Sequence, residues 1–425
     1  MTHKISSLKR LLFPRCRTAG IQPQRYLRCM VIGIVLLSGC AKIDFKTVKE
    51  PAYLRVFNNL RFKVTIETQD QALSTLTMLI NPVYDGDGLP VSAATVGDFL
   101  VTRPAYAPPY PSHIGNSLDK YNPEFPGKER VIAGPILNGF DLSSWAQVPS
   151  GKMRIAFYVR PKSEVPFFDL EARYRTAPLI DTTLDLLAGE VYTLHALEKD
   201  FDTKEKGVLL RQEIFHKLAL ADSLVYVNFY NMSARGFWQA DRSRKPEDMN
   251  TLVKNTYWED ALGQGVRDEM NVYCSVYDDR VQRPTSLPSF TKLFLTHLLR
   301  NNESPAAAPY YSLPLLTGAM ANTARSPFYQ KFFLLAPGFD FRDDEQAGGV
   351  ESNNQYAFFT CFSNGNGETS PGGNLNWGPM LPNLIVTTHS GIYNPRSFGT
   401  VNSIEIVNGS VHLITVQRVY APPVY

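Results

Sequence analysis

The feature that most constrains this chain is alternation. Short stretches in which apolar and polar residues take turns recur along its length, each stopped by Gly, Pro, Asn or Asp. "TLDLLAGEVYTLHALEK" (Thr183 to Lys199) holds two such stretches around Ala188-Gly189, and "NSIEIVNGSVHLITVQR" (Asn402 to Arg418) holds two more around Asn408-Gly409. In an extended strand successive side chains point to opposite faces, so a period of two loads one face with apolar groups; a helix would need a period near 3.6. Asn-Gly is a favoured two-residue hairpin turn, and Ala-Gly a weaker version of it. From Val191 onward the pattern puts Val191, Thr193 and His195 on one face and Tyr192, Leu194 and Ala196 on the other. With 30 prolines and 28 glycines punctuating the 425 residues, and 44% hydrophobic content to fill cores, the expected class is all-β, built as sandwiches.

The two quoted stretches also align with each other without gaps. Leu184 falls on Ile404, Leu186 on Ile406, Gly189 on Gly409, Val191 on Val411 and Leu194 on Ile414. Upstream, "YLRVFNN" (Tyr53 to Asn59) matches "YVNFYNM" (Tyr226 to Met232), an alternating strand running into an Asn-bearing turn. Agreement at both ends in the same order predicts two related domains, residues 52–215 and 220–425. The second has a longer, irregular middle, where "RKPEDMNTLVKN" (Arg244 to Asn255) is expected to start a short helix with Pro246 at its first position.

The front of the chain reads as an address. "VIGIVLLSGCAK" (Val31 to Lys42) is apolar for too short a run to cross a bilayer, which takes roughly 20 residues. It follows seven Lys/Arg and no acid, the order of a secretory leader. Leu37-Ser38-Gly39-Cys40 resembles the lipobox of bacterial lipoproteins. That resemblance implies a signal peptide over residues 1–39, cleavage between Gly39 and Cys40, acylation of Cys40 and a linker over 40–51. Several acyl chains anchor stably where one is marginal. The implied partner is the membrane, reached through the lipid. With Ala41 rather than Asp after the cysteine, the implied location is the outer membrane, on its periplasmic face or the cell surface. Losing the leader leaves 425 − 39 = 386 residues and 43 − 7 = 36 basic against 40 acidic ones, about −4 overall. A nucleic-acid binder needs a dense basic face, so nucleic acid is excluded as a partner by charge.

The opening strand "AYLRVFNN", then "VPSGKMRIAFYV" (Val148 to Val159), "LIDTTLDLLAGEVYTLHAL" (Leu179 to Leu197) and the closing "VLLRQE" (Val208 to Glu213) together resemble domain of unknown function 4397, an immunoglobulin-like β-sandwich module of secreted and anchored bacterial proteins. The resemblance covers most of the first unit. It thins in the second, where "LLAPGFDF" (Leu334 to Phe341) stands in for the Pro-Ser-Gly turn. It implies two tandem immunoglobulin-like sandwiches and carries no catalytic residues.

Residue patterns that announce catalysis are missing: there is no His-Glu-x-x-His, Gly-x-Ser-x-Gly, phosphate-binding loop or Cys-x-x-Cys. The expectation is a non-enzyme with no cofactor. His195 and His412 read as strand residues rather than ligands. Asp85 and Asp87 in "YDGDGLP" are spaced like the start of a calcium loop, but the remaining ligands are absent, which favours a plain turn. Cys274 and Cys361 are the two cysteines left once Cys16, Cys29 and Cys40 are assigned to the leader and lipid. They pair as a disulfide in an oxidising compartment or stand as two small buried hydrophobes. The Pro- and Tyr-rich stretch Arg103 to Lys128 and its shorter analogue Ser304 to Pro314 carry Tyr106, Tyr110, Tyr121, Tyr310 and Tyr311. Together with Trp377 these aromatics either contact a protein or glycan partner or plug the ends of the sandwiches. The expected role is binding, adhesion or scaffolding in the envelope. The alternative is a carbohydrate-binding accessory of a glycan-uptake system.

Overall fold

In the computed structural model the described residues are 48–60, 74–99, 103, 132–142, 144–161, 163, 165–221, 223–237, 262, 266–278, 286–316, 328–338, 356–362, 380–382, 384, 386–389, 395–398 and 400–417. Those from Val48 onward belong to one compact unit, Val48–Tyr425. The protein is nearly all β. The helices among the described residues are single three-residue 3-10 turns, such as Phe167–Asp169 and Phe215–Lys217. The stretch expected to hold a short helix, 244–255, lies outside the described residues.

Four larger sheets make the body. One has five strands in the order Lys206–Glu213, Val191–Glu198, Ala52–Asn58, Ala146–Val148, Ile132–Ala133. A second has Ile180–Leu186, Gly151–Pro161, Ser74–Ile80 and Thr95–Phe99. Between them lies a core of Leu54, Val56, Met78, Ile80, Ile155, Phe157, Leu194 and Ala196. The third sheet runs Tyr311–Pro314, Leu224–Asn231, Thr400–Val407, Ser410–Gln417, and the fourth Leu293–Leu299, Glu269–Asp278, Phe328–Leu335, Tyr356–Phe362, Met380–Pro382. Their shared core includes Val227, Phe229, Val272, Cys274, Phe332, Phe359, Ile404 and Leu413. Each pair of sheets therefore closes on its own apolar filling, as two β-sandwiches do.

The opening strand of each sandwich lies parallel to a strand that comes much later. Tyr53 sits opposite Val191 and Phe57 opposite His195; in the same way Tyr226 sits opposite Val401 and Tyr230 opposite Glu405. This corrects the alignment read from sequence. The structure matches Val191–Glu198 with Thr400–Val407, not with Ser410–Gln417. The cause is a difference in connection. Val407 pairs with Ser410 across a true two-residue hairpin with Asn408 at φ 54°. Ala188-Gly189, with Gly189 at φ 76°, instead carries the chain from one sheet to the other, because Ile180–Leu186 pairs with Gly151–Pro161. Side-chain alternation looks the same in both cases, so a gapless alignment slid one strand onto its neighbour.

The two sandwiches meet through the outer faces of the first and third sheets, giving four β layers. Val191 and Phe215 from one side pack with Val401 and Val416 from the other, alongside Trp145, Phe140 and Leu142. Further along, Leu197 and Leu209 meet Tyr230, Met232 and Val407. Phe215 lies 5.1 Å from Phe140 and 5.9 Å from Trp145, ring centre to ring centre. The short stretch joining the sandwiches is thus wedged into their seam. The facing strands are buried on both faces, which is the setting for the charged residues between them.

Candidate functional site

Alternation along the inner strands sends every second side chain into this seam. From the first sheet come Arg55, Phe57, Thr193, His195, Arg211 and Glu213; from the third come Tyr230 and Glu405. Arg103 joins them from beyond the end of the strand Thr95–Phe99. The charged members are all but closed to solvent, at 0% for Glu405 and His195 and no more than 2% for the side chains of Arg55, Arg103, Arg211 and Glu213. Charges this deep persist only when paired.

Glu405 ties the sandwiches together. Its Oε1 accepts a hydrogen bond from Arg211 Nη2 at 2.6 Å, and its Oε2 one from Arg103 Nη1 at 2.6 Å. Glu213 Oε1 accepts from Thr193 Oγ1 at 2.6 Å, from Arg211 Nη2 at 2.9 Å and from Arg55 Nη2 at 3.3 Å. Arg55 Nε donates to Thr193 Oγ1 at 2.8 Å. Aromatic faces cover the guanidiniums: Trp145 lies 4.0 Å from Arg55, Phe57 3.5 Å from Arg103 and Tyr230 3.9 Å from Arg211. Such faces stabilise a desolvated cation through the ring quadrupole.

Protonation follows from this geometry. Burial raises the pKa of both carboxyls, but the surrounding cations override it. Glu213 falls below its ordinary value under Arg211 and Arg55. Glu405 falls well below, held down by the His195 ring beside its Oε1 and by the guanidiniums of Arg103 and Arg211 bonded to it. Burial pulls Arg55 down to about 10, and it lowers Arg103 as well. Arg211 goes the other way, because Glu213, Tyr230 and Glu405 outweigh its desolvation. His195 is pushed well below the usual imidazole range, mainly by burial. Its Nδ1 lies 3.1 Å from Asn59 Nδ2, an N–H donor, which assigns the ring proton to Nε2, 3.5 Å from Glu405 Oε1. His195 and Glu405 occupy matching places in the two sandwiches, opposite Phe57 and Tyr230.

The residues singled out in the sequence lie elsewhere or play other parts. Gly39, Cys40, Tyr106, Tyr110, Tyr121 and Trp377 fall outside the described residues. Asp85 Oδ1 accepts the amides of Asp87 and Leu89 at 3.0 and 2.8 Å and so closes its own exposed turn. Tyr310 packs into the seam, where burial drives its hydroxyl well above the ordinary pKa. Tyr311 leans on the second core, 6.3 Å from Phe229. Both are half-buried by this packing.

Cys274 and Cys361 are free, buried thiols, so the disulfide reading is corrected to the hydrophobe one. The strand Phe328–Leu335 runs between their strands, with Phe332 opposite Cys274 and Gln330 opposite Cys361. Two inter-strand steps of about 4.8 Å each exceed the roughly 7 Å that a disulfide can span between Cα atoms. The alternation assigned His195 to its face correctly, as Tyr192, Leu194 and Ala196 fill the core behind it. Arg55, Arg103, Arg211, Glu213 and Glu405 were missed. Arg103 lies outside the strands and gave no signal; for the others the signal was a charge at an alternate place within a strand, which reads equally well as a wet face.

No protein-family profile matches the chain, and no curated protein matches it. Among solved structures it is compared with one described as a "putative cell adhesion protein" from Bacteroides uniformis. That match has 10% identity, covers 87% of this chain and 99% of the other, and has a TM-score of 0.13. At that score the likeness carries no argument about either fold or role.

Proposed function

We propose that this chain is a non-enzymatic, lipid-anchored protein of the bacterial outer membrane, and that its doubled β-sandwich serves binding, adhesion or scaffolding. One observation carries the reading of the body. Among the described residues, a cluster of ionisable side chains is enclosed between two sheets, with its carboxylates paired to its own guanidiniums. Catalysis requires acids and bases that a substrate can reach. A sealed ionic centre instead holds two modules in one fixed relation, which suits a protein that presents a surface or bears a load.

The address rests on the leader and on Gly39-Cys40. Mass spectrometry of the envelope-extracted protein tests it: the expected amino terminus is a diacylglyceryl, N-acylated Cys40. An unmodified terminus, or one starting elsewhere, would refute the anchor. Protease treatment of intact cells then separates cell surface from periplasmic face. A glycan panel read by tryptophan fluorescence tests the carbohydrate-binding alternative, which the packing of Tyr310 and Tyr311 does not favour.

A further inference from the structure

Among the described residues, the guanidiniums of the ionic centre outnumber its carboxylates. Arg55, Arg103 and Arg211 against Glu213 and Glu405 leave 3 − 2 = +1. A net charge closed off from water is unfavourable without a counter-charge.

The surplus sits on Arg103. Its Nη1 is bonded to Glu405, but its Nε and Nη2 are buried with no hydrogen-bond partner. Those two nitrogens form one edge of the guanidinium, with parallel donors spaced to meet both oxygens of an oxyanion. The same protein shows that edge in use. On the outer surface, Arg154 holds Asp181 with Nε on one carboxylate oxygen and Nη2 on the other. Arg211, bonded to the other oxygen of Glu405, has a further buried donor without a partner in its Nη1. The Phe57 ring covers a guanidinium face and accepts nothing from this edge.

We propose that the Nε/Nη2 edge of Arg103 is a binding site for a small carboxylate, which brings the centre to neutrality and fastens the seam. The two parallel donors select an anion that offers two oxygens side by side, and one carboxylate cancels +1 where a phosphate dianion would overshoot to −1. The near-complete burial of Arg103 selects a small size, that of formate or acetate.

The test is thermal unfolding of the full-length chain in detergent at neutral pH, with chloride replaced by acetate, formate or phosphate at constant ionic strength. A ligand that binds only the folded state raises the melting temperature with concentration. The expected result is a rise in acetate and formate that exceeds any rise in phosphate. The rise is expected to vanish in Arg103→Met, which removes both the surplus charge and the donor edge, whatever its melting temperature in chloride alone. Should Arg103→Met fail to fold, Arg103→Lys keeps the charge without the fork and is expected to fold yet lose the acetate response. The proposal is overturned if the wild type melts at the same temperature in acetate and chloride, if phosphate outranks acetate, or if the Arg103 variants respond as the wild type does.

Discussion

Replacing Glu405 with glutamine strikes the ionic centre at the point where the two sandwiches join. The side chain is 0% exposed and accepts two charge-assisted hydrogen bonds at 2.6 Å, from Arg211 and Arg103. Bonds to charged groups contribute roughly 1.5–3 kcal/mol each. Glutamine keeps the shape but withdraws the negative charge and turns an amide N–H toward a guanidinium. The enclosed charge then rises from +1 to +2, with Glu213 the one carboxylate left in the centre. Breaking a buried ion pair from one side costs about 3–5 kcal/mol, and we expect Glu405→Gln to fall in that range. Because Arg211 belongs to the first sandwich and Glu405 to the second, the loss should also loosen their coupling. Urea unfolding followed by far-UV circular dichroism and intrinsic fluorescence reads both effects. The midpoint is expected to drop and the two probes to separate. A loss below about 1 kcal/mol, or no coupling between Glu405→Gln and Arg211→Met in a double-mutant cycle, would refute the assignment of the centre as the joint.

Further perturbations probe other parts of the structure. His195 titrates well below 6.5 in the folded protein, so unfolding takes up a proton at mildly acidic pH. Its contribution is present above pH 6.5 and is lost as pH falls, by up to about 1.4 kcal/mol per pH unit; His195→Gln should flatten that slope in a pH series of urea midpoints. The depressed Glu213 and Glu405 extend the acid loss to below pH 4.5. Burial raises both the Cys274 and Cys361 thiols, so iodoacetamide should leave their peptides unmodified in the native protein and label both after denaturation, with no reductant needed; native labelling or a Cys274–Cys361 cross-link would count against the described core. Gly134→Ala would place a Cβ 2.6 Å from the Leu142 carbonyl oxygen and 2.8 Å from Leu142 Cβ, a clash that backbone must absorb. A loss of about 1–3 kcal/mol is expected by analogy with overpacked cores, and an unchanged midpoint would contradict the tight approach.

Alternation made the strands legible because a period of two is written directly into residue order. It separated Tyr192, Leu194 and Ala196, which the structure puts in the core, from Val191, Thr193 and His195 on the opposite face, and it found the hairpin at Asn408-Gly409. It could not say what lies beyond the opposite set. A strand such as "SIEIV" or "VLLRQE" has the same pattern whether its charges meet water or another sheet. Complementary sign across the seam, Arg211 to Glu405, becomes visible only when residues 194 positions apart are brought together. Pairing partners were hidden for a related reason, since Ala188-Gly189 and Asn408-Gly409 look alike although one switches sheets and the other closes a hairpin. The cysteines stayed open between a bridge and two buried hydrophobes because distance decides between them, and no spacing along the chain encodes it.

The span of the contacts that close the seam sets an order for assembly. Arg211 reaches Glu405 across 194 residues, and Arg103 reaches it across 302. A chain emerging from its amino end must therefore expose the outer face of the first sheet until nearly all of the sequence has appeared, and pairings this remote form late and slowly. That waiting surface has arginine and glutamate at its middle, with its greasy residues toward the two ends. The unfinished protein thus stays wettable where a purely oily face would invite clumping, and it turns dry only when the last hairpin arrives.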